Sequence, residues 1–272
     1  MLATESWGSG PIPVLLLHGF THAKAAWRVH EEAWAPLVRA IAVDLPGHGS
    51  SPADTATSFE DTAQRLAAIA HDTFGGPFVV IGYSLGARVA LAMAVLRPRL
   101  VSALVLESGS PGLADDAERA ARRVGDDELA TRIEHLGVPA FLREWEQQPV
   151  LAGLRTLPAE QQDLLRALRL THSASQLARA LRLLSVGAQP SYWHRLDEIA
   201  CPTLLVHGEH DERYTRIARE MEAALPHARR VMLPCGHTPH LECAEAYASD
   251  VAGFLRTCFP TAEASSVSRS PT

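Results

Sequence analysis

The apolar run Phe78-Val79-Val80-Ile81 leads straight into Gly82-Tyr83-Ser84-Leu85-Gly86, and Ala87-Arg88-Val89-Ala90-Leu91-Ala92-Met93 follows without a gap. The first run has the pattern of a buried strand and the last that of a helix, so the chain must turn sharply between them. A glycine on each side of the turn allows backbone approaches that a Cβ would block. At the tip stands a serine. A turn of this form lifts the Ser84 hydroxyl above a sheet and leaves the first free N–H groups of the next helix beside it, where negative charge is stabilised. The bare G-x-S-x-G pattern is common. Its weight comes from the strand before it, the helix after it and the partners found downstream.

Similar short apolar runs recur at Val14–Leu17, Ile41–Val43, Ala103–Leu106, Thr203–Val206 and Val231–Leu233, with a weaker strand signal over Leu2–Trp7. They are continuous, not alternating, which implies burial on both faces. The fold class expected is α/β, a mostly parallel sheet flanked by helices, with ligands at the carboxyl ends of the strands. Between Glu107 and Thr203 no strand signal occurs. Helices are predicted there over Glu118–Arg123, Asp126–His135, Pro139–Glu146, Pro158–Arg169 and Gln176–Leu184, with apolar stripes at Leu164, Leu165, Leu168 and at Leu177, Leu181, Leu184. An all-helical lid over residues 109–198 therefore divides a core made of 1–108 and 199–260. The Ser-, Thr- and Ala-rich end, 261–272, lacks an apolar pattern and is expected to be a disordered tail.

With 272 residues, 47% hydrophobic and 21% charged, the chain can bury the core of one large domain. Its net charge of -6 argues against nucleic acid as a partner. Lys24 is the only lysine among many arginines, a bias of composition more than of function. The cysteines, Cys201, Cys235, Cys243 and Cys258, have no C-x-x-C spacing, so buried free thiols in a reducing compartment are expected, with no metal site. Met1–Pro13 lacks the basic start and apolar run of a signal peptide, and no apolar stretch is long enough to span a bilayer. A cytoplasmic protein without a membrane partner, a monomer or weak homo-oligomer that needs no cofactor, is the expectation.

A serine hydroxyl needs a histidine to take its proton and an acid to orient that histidine. Asp211 follows the strand Thr203–Val206, and His237 follows Val231–Leu233 within Pro234-Cys235-Gly236-His237. Both leave carboxyl strand ends, the edge that carries Ser84, in the order Ser, Asp, His. Glu209 and His210 are rivals for the acid and base, and His240 is a rival for His237. Gly236 gives His237 a permissive backbone, whereas His240 is expected to open a helix over Leu241–Phe254. The loop Asp44–Ser51 turns the chain after a strand, and its glycines and proline serve that turn.

Arg88 stands one helical turn after Ser84, on the same side. A charge near a partly desolvated nucleophile must meet an anion. A structural carboxylate or a substrate carboxylate would each satisfy it. Arg122 and Arg169, from the predicted lid, add to the cationic set. A small anionic substrate is the partner expected, while Asp126-Asp127-Glu128 reads as a solvated face.

Over Leu15–Leu255 the chain resembles the α/β-hydrolase superfamily and, within it, the MenH family of 2-succinyl-6-hydroxy-2,4-cyclohexadiene-1-carboxylate (SHCHC) synthases. The carriers are Leu17-His18-Gly19-Phe20-Thr21, Asp44-Leu45-Pro46-Gly47-His48-Gly49, Gly82–Arg88, Glu118…Arg122, Trp145 with Gln148-Pro149, Leu168-Arg169, Gln189-Pro190, Gly208–Asp211 and Gly236–Glu242. The resemblance implies an oxyanion hole from the Phe20 and Leu85 amides, with His18 a prop for the loop. It implies a lyase of menaquinone biosynthesis that eliminates pyruvate from a succinyl-bearing enolpyruvoyl cyclohexene carboxylate, with no water consumed and no acyl intermediate. Ser84, His237 and Asp211 would remove a ring proton, Arg88, Arg122 and Arg169 would pair with carboxylates, and Tyr83 and Trp145 would shape the pocket. The alternative is hydrolysis of esters or carbon–carbon bonds in small carboxylate substrates by the same triad. Two positions depart from the family: His22-Ala23-Lys24 replaces a glycine-containing turn, and His210 stands where an apolar residue is usual. Arg119 and Arg123 compete with Arg122 for the inward position.

Overall fold

The computed structural model describes residues 1–260; the expected tail, 261–272, lies outside the described residues. Seven strands form one sheet: β1 (Thr4–Trp7), β2 (Ile12–Leu17), β3 (Val38–Val43), β4 (Phe78–Tyr83), β5 (Val101–Glu107), β6 (Thr203–Gly208) and β7 (Ala228–Leu233). Their order is β1-β3-β2-β4-β5-β6-β7. Only β1 is antiparallel to its neighbour, β3, so the sheet is mostly parallel, as expected. The helices are α1 (Glu31–Trp34), α2 (Phe59–Phe74), α3 (Leu85–Leu96), α4 (Asp116–Trp145), α5 (Ala159–Leu170), α6 (Ala174–Leu184), α7 (Glu212–Ala224), α8 (Pro239–Glu242) and α9 (Ala244–Cys258).

Continuous apolar strands serve two cores at once. Leu15 and Leu17 of β2 join α2 and α3 on one face, while Val14 and Leu16 join Trp34 and α9 on the other. All four are fully buried. At about 25 cal/mol per Å² of apolar surface, each contributes roughly 1.5–3 kcal/mol, so both layers depend on the run being unbroken. Local signals bound the helices. Ser58 caps α2 by accepting the Asp61 amide at 3.0 Å, and Gly75 ends it with φ 75°, a conformation that costs a glycine nothing.

The stretch between β5 and β6 is helical, and its details differ from the periodicity. Two predicted helices, Glu118–Arg123 and Asp126–His135, are one, because Gly125 sits in open space within α4 and does not break it. The break falls at Gly137, with φ 72°, and Pro139 stands in the first turn after it, where its missing N–H is harmless. A 3₁₀ segment, Pro149–Thr156, has no counterpart in the sequence reading. On α5 the buried pair is Leu165 and Arg169, with Leu164 64% exposed, so the predicted stripe is rotated. Ile133, Phe141 and Leu142 of α4 pack on Leu177 and Leu181 of α6, and a satellite cluster joins Leu151, Leu154, Leu157 and Leu165. Nearer the C-terminus, the expected Leu241–Phe254 helix is instead α8 and α9, broken at Cys243, with His240 inside α8. Among the described residues the four cysteines are free, and no helix is long and apolar enough to cross a membrane.

Candidate active site

Ser84 sits at the tip of the β4–α3 turn with φ 49° and ψ −103°. Such a conformation in a non-glycine residue costs about 1–3 kcal/mol and persists only where its surroundings enforce it. They do so here. A Cβ at Gly82 would strike the Gly86 backbone, and one at Gly86 would strike the Leu17 carbonyl, so both positions require glycine. The Ser84 amide donates to the Glu107 carbonyl at 2.8 Å, tying the tip to the end of β5.

His237, from the loop after β7, brings Nε2 within 3.2 Å of Ser84 Oγ. Its Nδ1 lies 2.6 Å from Asp211 Oδ2. A carboxylate can only accept, so Nδ1 carries the hydrogen and Nε2 is the bare nitrogen that faces the serine. The other Asp211 oxygen accepts the Tyr214 amide at 3.2 Å and thereby caps α7. The Tyr214 ring lies 4.6 Å from the imidazole, and Ser108 Oγ donates to the His237 carbonyl at 2.9 Å. Three residues from separate loops thus meet at the carboxyl edge. The rivals make no contact with the Ser84 hydroxyl: Glu209 is exposed, His210 is exposed at the cavity wall, and the buried His240 Nδ1 hydrogen-bonds Glu107 Oε1 at 2.7 Å.

Phe20 and Leu85 line the same cavity as Ser84. Leu85 opens α3, so its N–H lacks an intrahelical acceptor. Phe20 follows Gly19, whose missing Cβ makes room for the Tyr83 ring. His18 braces this turn: its Nδ1 meets the Gly19 carbonyl at 2.8 Å, and its Nε2 accepts the Leu45 amide at 3.0 Å. Burial lowers its pKa to about 4, which keeps it neutral.

The cavity is about 860 Å³, and residues of the helical stretch between β5 and β6, among them Arg122, Trp145, Leu151 and Leu184, form part of its wall. Arg88 is 7% exposed and lines it. Its guanidinium donates to Gln189 Oε1 at 3.1 Å and to the Leu184 carbonyl at 2.9 Å, both neutral, and no carboxylate within salt-bridge distance is found among the described residues. Burial pulls its pKa down to about 10, so it stays charged at neutral pH. Arg122 also lines the cavity, and Nε donates to the buried Asp126 at 2.8 Å. Neither Arg119 nor Arg123 lines it. Asp126, read from the sequence as part of a solvated face, is 3% exposed.

Arg169 is placed differently. It is 3% exposed, is absent from the wall of the main cavity and lines a neighbouring one of about 230 Å³. Its guanidinium lies 3.1 Å from His22 Nε2 and 3.6 Å from Glu146. His22, which does line the main cavity, stands in contact with it. Burial holds His22 well below the usual histidine range, with the Arg169 charge adding to the effect. Tyr83 lines the cavity with its hydroxyl 2.9 Å from Thr238 Oγ1, and burial raises its phenol pKa. Trp145 ends α4 against Phe20, ring centroids 5.4 Å apart. Residues the sequence reading gave no role include His22, Gln189 and Tyr214. Gln189 was visible only as part of a motif, and Tyr214 was not singled out. Among the described residues no group of three or more His, Cys, Asp or Glu side chains is placed to hold a metal ion.

A serine raised on a strained strand-to-helix turn, with a histidine and an aspartate from later strand ends, defines the α/β-hydrolase class. The chain belongs to the alpha/beta hydrolase family, whose model matches residues 14–251. Within that family, a Bacillus subtilis (strain 168) protein is 37% identical over 246 residues, covering 89% of each chain. The 2-succinyl-6-hydroxy-2,4-cyclohexadiene-1-carboxylate synthase of Serratia proteamaculans is 34% identical over 94% of this chain and 98% of its own length. The solved structure of MenH from S. aureus aligns with a TM-score of 0.90 and 32% identity, over 95% of this chain and 99% of that one.

Proposed function

We propose that this chain is a carbon–oxygen lyase that eliminates pyruvate from 2-succinyl-5-enolpyruvoyl-6-hydroxy-3-cyclohexene-1-carboxylate, giving 2-succinyl-6-hydroxy-2,4-cyclohexadiene-1-carboxylate in menaquinone biosynthesis. The observation that carries the reading is Arg88: a buried charge on the cavity wall, one turn from Ser84, whose hydrogen-bond partners are neutral and whose nearby carboxylate, Asp126, lies beyond salt-bridge distance and is paired with Arg122. An unpaired charge is costly to bury, and a substrate carboxylate compensates it. The activity of the Serratia relative, similar over almost its whole length, supports the same substrate class.

His237 takes the Ser84 proton, and Asp211 holds the imidazole and matches its charge. The serine oxygen removes the ring proton α to the succinyl ketone. The electron pair delocalises into the ketone, whose oxygen gains charge against the Phe20 and Leu85 amides. The ring C–O bond to the enolpyruvoyl group then breaks, enolpyruvate leaves, and the proton held by His237 is returned to it to give pyruvate and restore the neutral imidazole. No water is consumed, and the serine regains its proton from the abstracted one. Arg88 and Arg122 meet substrate carboxylates, Arg169 acts from beside His22, and Tyr83 and Trp145 shape the walls. The helical segment 109–198 serves as the lid of a cytoplasmic enzyme.

The test is pyruvate release by purified protein treated with a chelator and dialysed. We expect turnover without added metal or cofactor, and at most slow hydrolysis of p-nitrophenyl acetate. Rapid ester turnover without pyruvate would favour the hydrolase alternative, in which a neutral ester leaves Arg88 uncompensated.

A further inference from the structure

We propose that Glu242 is a positioning residue: it fixes the backbone on both sides of His237 and ties that position to the seating of the helical insertion. Its carboxylate accepts the Gly236 amide on Oε2 at 2.6 Å and the Thr238 amide on Oε1 at 2.9 Å. These are the peptide N–H groups immediately before and after His237. One charged group therefore holds both anchors of the imidazole, through the short charge-assisted bonds that a carboxylate makes best. Other contacts in this segment hold different atoms: Tyr83 meets the Thr238 hydroxyl and Ser108 the His237 carbonyl, while Glu242 alone among the described side chains takes both amides.

The same carboxylate touches the insertion. Gly153, in the 3₁₀ segment Pro149–Thr156, lies so close that a Cβ there would overlap the Glu242 carboxylate atoms. Leu241, the preceding residue, packs on the satellite cluster of Leu151, Leu154, Leu157 and Leu165. The short helix α8 thus presents one residue to the apolar underside of the insertion and the next to the histidine loop. Gly153, Glu242 and His237 all line the main cavity. If the 149–156 segment sits in place, Glu242 is pressed onto the two amides; if it is displaced, the carboxylate is free to leave them and the imidazole loses its register with Ser84. Misplacement of a catalytic base by about 1 Å is enough to slow a reaction markedly.

The inference rests on Ser84, His237 and Asp211 being the reacting triad, but not on the identity of the substrate, so the test uses a substrate-independent probe. A fluorophosphonate reacts with an activated serine: the Ser84 Oγ–P bond forms, the P–F bond breaks, fluoride leaves and the hydroxyl proton passes to His237. The labelling rate is measured for wild type, Glu242→Ala, Glu242→Gln, Gly153→Ala, the Glu242→Ala/Gly153→Ala double variant and Gly125→Ala, with a melting curve for each. Glu242→Ala and Gly153→Ala are each expected to label about tenfold more slowly while still melting cooperatively. Glu242→Gln keeps the shape, gives up one acceptor oxygen and falls by a smaller factor. The double variant is expected to be no slower than Glu242→Ala, because Gly153 acts through the carboxylate already removed. Gly125→Ala, a change in open space on the insertion, labels like wild type. Should Glu242→Ala fail to fold, Gly153→Ala carries the test, since it displaces only the flexible end of a side chain.

Wild-type labelling rates in folded Glu242→Gln and Gly153→Ala, or losses that multiply in the double variant, would overturn the inference and leave the triad standing. Failure of wild type to label at Ser84 at all would remove the triad reading and the inference with it.

Discussion

Ser84 stores strain that its chemistry requires and its stability does not. Replacing it with glycine, which adopts φ 49° freely, should abolish pyruvate release while raising the unfolding free energy by about 1 kcal/mol. Parallel activity and denaturant-melt measurements check both halves; a less stable Ser84→Gly protein contradicts the strain argument. Arg88→Met removes a buried charge with no carboxylate partner, so kcat/KM should fall about 10–100-fold, the worth of one charged hydrogen bond, chiefly through KM. An unchanged KM would show that the charge meets no substrate. The elbow was legible before any coordinates because its constraints lie in five consecutive residues. His22, Gln189 and Glu242 were not legible as functional groups, since each matters through an approach from elsewhere in the chain. Nor was the partner of Arg88: the sequence admitted a structural carboxylate or a ligand, and in the fold its hydrogen bonds go to the neutral Gln189 and Leu184. His240, expected merely to open a helix, is buried against Glu107 instead.

At the scale of elements, the sheet was read almost strand for strand because burial on both faces leaves an unbroken apolar run. The insertion was read as helical but its joints were misplaced. A glycine in a sequence does not say whether it breaks a helix, and here two do opposite things. Gly125 sits inside α4 with nothing near its Cβ position, whereas Gly137 takes φ 72°. Gly125→Ala should therefore stabilise the protein by about 0.5–1 kcal/mol. Gly137→Ala should destabilise it by roughly 1–2 kcal/mol, because an L side chain resists that conformation. Melting temperatures of the pair give the answer, and equal shifts in one direction would refute the assignment of the break.

Across the whole molecule, burial holds His18, His22, His30, His48, His172 and His207 below the ordinary histidine range, His18 to about 4 and His30 to about 3. These side chains stay neutral when folded and take protons when unfolded. Stability is accordingly insensitive to them above pH 6.5, their ordinary value, and falls as pH drops from there toward about 4. Each contributes a slope of about 1.4 kcal/mol per pH unit within its window. Thermal melts between neutral pH and pH 5 should show a steep decline, and a flat profile would mean that the histidines protonate without unfolding the chain. The same burial that creates this acid sensitivity also props the loops around the cavity, as His18 does. The mass of the ring product decides whether the reaction is an elimination. Wild type given the enolpyruvoyl substrate should yield pyruvate together with a ring product that has gained no water, and Ser84→Ala should yield neither. A ring product one water heavier, with pyruvate released in equal amount, would mean that the triad hydrolyses this substrate and does not eliminate from it.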